Sequence, residues 1–133
     1  MKNKEILLNP RVIVVQKLYS NHLNSESDLI FPKHRYKKFI KDVVLGTIER
    51  KELIQELITK ELKNDINYNK MDIILNLLIR AAIYEFMFMH KTPIKVIISE
   101  YLKTSDFFLE GAQKSFLNAI LDKISKKSRV KDE

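Results

Sequence analysis

The segment that decides the fold is RAAIYEFMFMHKTPIKVIISEYLK, residues 80–103. It holds the most apolar run of the chain, yet it begins with Arg80 and carries Glu85 inside that run. Apolar residues recur at helical spacing on both sides of Thr92-Pro93. Threonine is a favoured cap and proline suits the first helical position, so the segment predicts two consecutive helices, with Thr92 capping the second and Pro93 beginning it.

The arginine at the start of this segment needs a partner if it is buried. Arg80 follows Asn76 by one turn and precedes Tyr84 by one turn, so the three side chains share one stripe of the first helix. Two antiparallel helices joined at residues 90–92 would face each other, which makes Glu100 a candidate partner. We therefore predict an internal Arg80–Glu100 ion pair that sets the helix register; the alternative is direct contact of Arg80 with RNA.

The remaining sequence also has a helical period. Only 2 Gly and 3 Pro occur in 133 residues, so tight β-turns are scarce and long helices are favoured. The sequence therefore predicts an all-α fold of about six or seven helices, and residues 126–133 are expected to be disordered. One helix is predicted from Pro10 to about His22, and residues 33–62 are predicted to form two helices with a break near Glu49 to Lys51. A further helix is predicted to begin at an Asn69 cap, with Asp72 three residues later, and to end at about His90. The last two helices are predicted to begin at Pro93 and, after a break at Gly111, to cover residues 112–124.

Composition limits the cellular setting and the class of partner. The 24 Lys and Arg residues against 17 Asp and Glu residues give a net charge of +7, which favours a polyanionic partner such as nucleic acid or an acidic membrane surface. The absence of Cys excludes disulfides and thiolate zinc sites and favours the cytoplasm. No signal peptide is evident, and Asn76, Arg80 and Glu85 interrupt the apolar stretch 71–89, so we expect a buried helix there and no membrane partner.

Catalytic and metal-binding patterns are missing from the sequence. Its three histidines, at positions 22, 34 and 90, lie far apart, and none has Glu three residues before it, as a di-iron bundle requires. The sequence also lacks an HExxH motif, a Gly-rich phosphate loop and a nucleophile elbow. We therefore expect a protein that is not an enzyme and that binds neither a cofactor nor a metal.

The densest basic cluster lies at residues 33–41, and it has two interpretations. It is either a solvated helix start or a surface that contacts phosphates. Cations at a helix N-terminus oppose the helix dipole, which mildly favours phosphate binding. The cations near the C-terminus of the last helix are favoured by that dipole, so they are expected to be ordinary surface residues. The cluster contains Lys33, His34, Arg35, Tyr36, Lys37, Lys38 and Lys41.

Four stretches together resemble the NusB family of bacterial transcription antitermination factors: RVIVVQKLYS at 11–20, RAAIYEF at 80–86, PIKVIISE at 93–100 and SFLNAILDKI at 115–124. The resemblance covers residues 10 to 125, and the combination of stretches is specific. It implies one domain over 1–133, a NusB-like bundle of about seven helices in two packed subdomains, with one half at about 10–63 and the other at about 70–125.

The resemblance also implies a function. Family members pair with NusE, a small-subunit ribosomal protein, bind the single-stranded boxA element of nascent ribosomal RNA transcripts, and join the antitermination complex on RNA polymerase. The family differs in oligomeric state, so a monomer and a homodimer both stay open. By position, the RNA contacts would be Arg11, Gln16, Tyr19, Lys114, Phe116 and Asn118, with core packing as the alternative for Tyr19 and Phe116. The NusE contacts would be Asn76, Glu110, Ala112 and Gln113.

Several positions depart from the family pattern. Of the usual arginine-rich start only Arg11 remains, Ser99 replaces the usual Asn, and Ala119 replaces the usual Gly. A competing hypothesis is therefore a helical protein-docking module with weak or no RNA binding of its own. A third is a fragment of an rRNA cytosine methyltransferase that carries a NusB-like domain, which is disfavoured because the chain has no room for a cofactor-binding α/β unit.

Overall fold

The computed structural model describes residues 9–63 and 71–128. Every regular element in these two ranges is an α-helix, which confirms the predicted all-α class, and the count is six rather than about seven. In chain order the helices are α1 (Pro10–Leu23), α2 (Lys37–Glu49), α3 (Lys51–Leu62), α4 (Ile73–Phe88), α5 (Ile94–Ser105) and α6 (Gly111–Ser128).

The start of α1 follows from its first two residues. The Asn9 side chain accepts hydrogen bonds from the backbone N–H groups of Arg11 (3.0 Å) and Val12 (3.2 Å). Pro10, which has no N–H to satisfy, occupies the first turn. The predicted start at Pro10 is confirmed, and the helix ends one residue after the predicted His22.

The break between α2 and α3 lies at Arg50, inside the predicted range Glu49 to Lys51. The Arg50 guanidinium lies 4.5 Å from the centre of the Phe88 ring on α4. One turn before the break, Gly46 is buried against α4, and a Cβ at this position would overlap the ring of Tyr84. Glycine therefore allows α2 to approach α4 closely.

The two helices predicted around Thr92-Pro93 are present as α4 and α5, with corrected ends. Asp72 occupies the cap position of α4, while the predicted cap Asn69 lies outside the described residues. Pro93 occupies the cap position of α5 and Ile94 begins the helix, so the prediction that Thr92 caps it was wrong by one residue. Helix α6 continues four residues past the predicted end at Ile124, and the described part of the predicted disordered tail, residues 126–128, is helical.

Helix α4 forms the centre of the bundle. It packs against all five other helices, and apolar side chains cover most of its circumference, as expected of a helix buried on every side. Helix α1 packs on α2, α4 and α5, whereas α6 packs on α3, α4 and α5. The buried apolar residues of both predicted halves form one continuous cluster. Within the described ranges, no helix has both the length and the apolar character needed to cross a membrane.

The close approach of α2 and α4 predicts that Gly46→Ala destabilises the fold. Alanine normally favours a helix over glycine by about 1 kcal/mol, but here its Cβ must displace the Tyr84 ring. We expect a net loss of about 1–3 kcal/mol in the free energy of unfolding, measured by urea denaturation. Gly111→Ala is the matched control, because beyond its chain neighbours and its own helix backbone no described atom lies within 4 Å of a Cβ at that position. A Gly46→Ala variant as stable as the control variant would contradict the prediction.

Candidate nucleic-acid and partner interface

A buried ion pair connects the first helix to the centre of the bundle. Arg11 donates from Nε to Glu85 Oε2 (2.9 Å) and from Nη2 to Glu85 Oε1 (2.6 Å), a two-pronged contact. The Tyr101 hydroxyl on α5 donates a further hydrogen bond to Glu85 Oε2. Glu85 is fully buried, and Arg11 is 8% exposed. One carboxylate therefore joins α1, α4 and α5.

The surroundings of this carboxylate shift the pKa values of both of its partners. Burial alone lowers the pKa of Arg11, but the hydrogen bond to Glu85 and the nearby negative charges outweigh burial and raise it above its ordinary value. Burial, together with the charge of Glu85, raises the pKa of Tyr101 well above its ordinary value. Arg11 therefore stays charged, and Tyr101 stays neutral and able to donate its hydrogen bond.

The predicted Arg80–Glu100 ion pair was wrong. Arg80 donates from Nε to Asn76 Oδ1 (2.6 Å) and from Nη2 to Gln55 on α3. Glu100 lies instead near Arg11 (Nη1 to Oε1, 3.8 Å) and near Lys103 (Nζ to Oε2, 3.5 Å). Sequence reasoning missed Glu85 and Tyr101 as the partners of Arg11; the available signal was a glutamate inside the most apolar helix, since such a carboxylate needs a buried cation.

The predicted RNA contacts on α1 have different exposures. The Arg11 guanidinium is turned inward to Glu85, so the structure gives it an internal role and not a place on the surface. Gln16 is exposed, whereas Tyr19 is half-buried and packs on the apolar core. Only Gln16 of these three presents its side chain freely to solvent.

The other predicted RNA contacts lie on α6, and two of them share a groove with α5. Lys114 and Asn118 are one turn apart and line a groove of about 430 Å³ together with Lys95 and Lys103 of α5. Asp106 also lines it and forms an ion pair with Lys114. Phe116 is absent from this lining and is half-buried against the core. The groove, defined by these α5 and α6 residues, is called the α5–α6 groove below.

The predicted NusE contacts fall in two places. Glu110 and Ala112 are exposed at the start of α6, and Gln113 beside them is half-buried. Asn76 lies on α4, where it accepts the hydrogen bond from Arg80 in a cavity that shares no lining residue with the α5–α6 groove. The structure therefore does not bring Asn76 together with the α6 residues.

The basic cluster before α2 is largely solvent-exposed, with Tyr36 45% exposed. The Arg35 guanidinium lies 5.4 Å from the centre of the Tyr36 ring. Lys38 pairs with Asp42 (Nζ to Oδ2, 2.8 Å), and this hydrogen bond raises the pKa of Lys38. Among the described residues, no group of three or more His, Asp or Glu side chains could hold a metal ion.

The fold and the α5–α6 groove define a class of protein: a small helical bundle with a groove lined by three lysines and two aspartates. A model of the NusB family matches residues 8–126. Over 86 residues the chain is 38% identical to the transcription antitermination protein NusB of Rickettsia akari, covering 65% of this chain and 55% of that protein. It is 26% identical, over an alignment of 138 positions, to the protein of the same name from Sphingopyxis alaskensis. This alignment covers 91% of this chain and 93% of that protein. The chain belongs to the NusB family.

A solved structure agrees on the fold. The structure of T. maritima NusB superposes with a TM-score of 0.79 at 24% identity and covers 91% of both chains. The curated relatives are named for antitermination and not for a reaction, which agrees with the prediction that this chain is not an enzyme. The aligned part of the Rickettsia akari protein is little more than half of its length.

Removing the arginine of the buried pair should destabilise the fold strongly. Arg11→Ala leaves the Glu85 carboxylate buried without its cation, so we expect a loss of about 3–5 kcal/mol in the free energy of unfolding, measured by urea denaturation. Gln16→Ala, at an exposed position of the same helix, is the matched control and should change stability by less than about 0.5 kcal/mol. An Arg11→Ala variant with wild-type stability would show that the ion pair does not hold the helices together.

The raised pKa of Tyr101 predicts a pH-dependent contribution to stability. The unfolded chain ionises its tyrosines near pH 10, while folded Tyr101 keeps its proton to higher pH. Its contribution is therefore fully present below about pH 10 and is lost as pH rises through the pKa of the folded state. We expect Tyr101→Phe to have a lower free energy of unfolding than wild type at about pH 8. This difference in the free energy of unfolding should narrow as the pH rises from about 9.5 to about 11. A difference in the free energy of unfolding that widens over this pH interval would contradict the raised pKa of Tyr101.

Proposed function

We propose that this chain is an RNA-binding transcription antitermination subunit that acts in the cytoplasm. In this proposal it pairs with NusE, binds the boxA element of nascent ribosomal RNA transcripts, and joins the antitermination complex on RNA polymerase. Support comes from its membership of the NusB family and from the names of the relatives it resembles. The net charge of +7 suits a polyanionic ligand.

The observation that carries the RNA-binding part is the α5–α6 groove. Lys95, Lys103 and Lys114 place three cations along it against two aspartates, and Asn118 adds an amide that can both donate and accept. Lysines meet phosphates, and an amide can read the edge of an unpaired base. Such a combination fits a single-stranded RNA better than a duplex, whose base edges are less accessible.

The neighbouring start of α6 suits the partner protein. Glu110 and Ala112 are exposed four and two residues before Lys114, so a protein docked there would lie beside RNA in the groove. On α1, the exposed Gln16 and the half-buried Tyr19 remain candidates for further RNA contacts. Arg11 is left out of this surface, because its guanidinium is held by Glu85. A monomer and a homodimer are both compatible with this arrangement.

A second candidate function is a protein-docking module with little RNA affinity of its own. It is favoured by the pairing of surface cations with carboxylates: Lys114 with Asp106, Lys103 with Glu100, and Lys38 with Asp42. Each of these lysines must give up or share its partner to contact phosphate. Under this alternative, NusE would supply most of the RNA contacts.

A titration at two salt concentrations separates the two functions. A short boxA-like single-stranded RNA is titrated into the protein alone and into its mixture with NusE. We expect binding that is strongest with NusE and that weakens as salt rises, because phosphate contacts release counterions. If NusE binds but the chain adds no RNA affinity at either salt concentration, the docking module is correct.

The groove itself is tested by replacing two of its exposed lysines. In Lys95→Ala/Lys103→Ala we expect weaker RNA binding, because fewer phosphates are neutralised. The slope of log affinity against log salt should become less negative by about 0.7 for each phosphate that the variant no longer neutralises. Lys60→Ala, an exposed position on α3 outside the groove, is the control. Equal affinity and slope in the double variant and the control would place the RNA elsewhere.

A further inference from the structure

A second concave site lies where four helices meet, away from the α5–α6 groove. Its walls come from the ends of α1 and α2 and the starts of α3 and α4, and its volume is about 400 Å³. It shares no lining residue with the α5–α6 groove or with the start of α6. We call it the four-helix cavity.

The lining of the four-helix cavity combines cations, amides and an apolar wall. Lys51 and Arg80 supply positive charge, Asn21 and Asn76 supply amides, and four aliphatic side chains supply apolar surface. None of the described residues that line it is Asp or Glu, whereas two aspartates line the α5–α6 groove. The hydrogen bonds from Arg80 to Asn76 and Gln55 hold the guanidinium in place at the wall. Since Asn76 uses its carbonyl oxygen for Arg80, its NH₂ group can donate to a ligand.

Thr47 in the same wall is a separate observation that favours a polar ligand. The residue is 4% exposed, and its Oγ1 is buried with no hydrogen-bond partner among the described residues. An unsatisfied buried hydroxyl costs about 1–3 kcal/mol. Threonine in a helix has two accessible χ1 rotamers, so rotation about χ1 can turn the hydroxyl toward a group bound in the cavity. A ligand that accepts or donates there would remove this cost.

We propose that the four-helix cavity binds one nucleotide unit, a planar base that carries a phosphate. The aliphatic wall suits the face of a heterocycle, and Asn21, Asn76 and Thr47 suit its polar edge. Lys51 and Arg80 suit the phosphate, and no carboxylate among the described lining residues repels it. A bare anion would leave the aliphatic wall unused, and a volume of about 400 Å³ is within the range of small-ligand sites.

Two sources share this chemistry. One is an unpaired nucleotide of a single-stranded RNA, a case that rests on the proposed function. The other is a free mononucleotide, which does not rest on it. The experiment therefore has two arms: calorimetric titration of AMP, GMP, CMP and UMP, with inorganic phosphate as the comparison, and titration of a short single-stranded RNA together with NusE.

Two variants test the cavity without endangering the fold. Thr47→Val keeps the shape of the side chain and removes only the unsatisfied hydroxyl, so stability should be unchanged or higher. Lys51→Gln changes an exposed side chain, and Lys60→Gln on the same helix, outside the cavity, is its matched control. We expect Thr47→Val and Lys51→Gln each to weaken nucleotide binding roughly three- to tenfold, and the control to leave it unchanged.

The outcomes separate this inference from the proposed function. If both variants weaken binding of a mononucleotide or of the RNA, the inference stands, and the arm affected identifies the source. If mononucleotides bind wild type and both variants weaken that binding, but wild type with NusE does not bind RNA, the inference stands and the proposed function fails. Mononucleotides that bind wild type and both variants equally overturn the inference. If RNA binds wild type and both variants equally and no mononucleotide binds, the inference fails while the proposed function stands. Inorganic phosphate that binds as tightly as a mononucleotide, or variants that weaken only NusE binding, would also overturn it.

Discussion

The carboxylate of Glu85 is the point on which the arrangement of the helices depends. It lies in the most apolar helix, fully buried, and accepts hydrogen bonds from Arg11 of α1 and Tyr101 of α5. A buried ion pair adds little net stability over an apolar replacement, but leaving either charge alone is costly. The two-pronged contact also has one favourable geometry. Any packing of α1 or α5 that breaks this contact is therefore disfavoured, and the register of three helices follows from one side chain.

This constraint changes where a polyanion can bind. A cation near the start of the first helix would ordinarily be available to phosphate, but Arg11 is enclosed by Glu85 and lies over the rings of Phe39 (4.8 Å) and Tyr101 (5.4 Å). Accessible positive charge among the described residues is found instead at the start of α2, along the α5–α6 groove, at Lys51 and Arg80 in the four-helix cavity, and at further exposed lysines such as Lys60. The buried network and the basic surfaces are thus separate parts of the molecule.

The sequence predicted local features well and long-range pairing poorly. The start at Pro10, the break near Arg50 and the two helices on either side of Thr92-Pro93 depend on residues within one turn of each boundary, and all were predicted. The ion pair between Arg11 and Glu85 was not predicted, because the two residues are 74 positions apart. Helical spacing shows which residues share a face of one helix, but not which cation and carboxylate of different helices form a pair. For the candidate site, the resemblance identified residues on α1 and α6, but whether a side chain points outward, as Gln16 does, or inward, as Arg11 does, depends on the packed fold.

The three polar interruptions of the apolar stretch 71–89 therefore have two different physical explanations. Glu85 is satisfied by side chains from α1 and α5, so its place in the core is structural. Asn76 and Arg80 lie one and two turns from the start of α4 at the wall of a cavity, where Arg80 donates hydrogen bonds to Asn76 and to Gln55 of α3. Their half-buried position orders a cation at the surface without burying it fully, at lower desolvation cost than a core arginine. Neither arrangement suits a membrane span. In this bundle the Glu85 network sets the register of the helices, and Asn76 and Arg80 form part of a polar site.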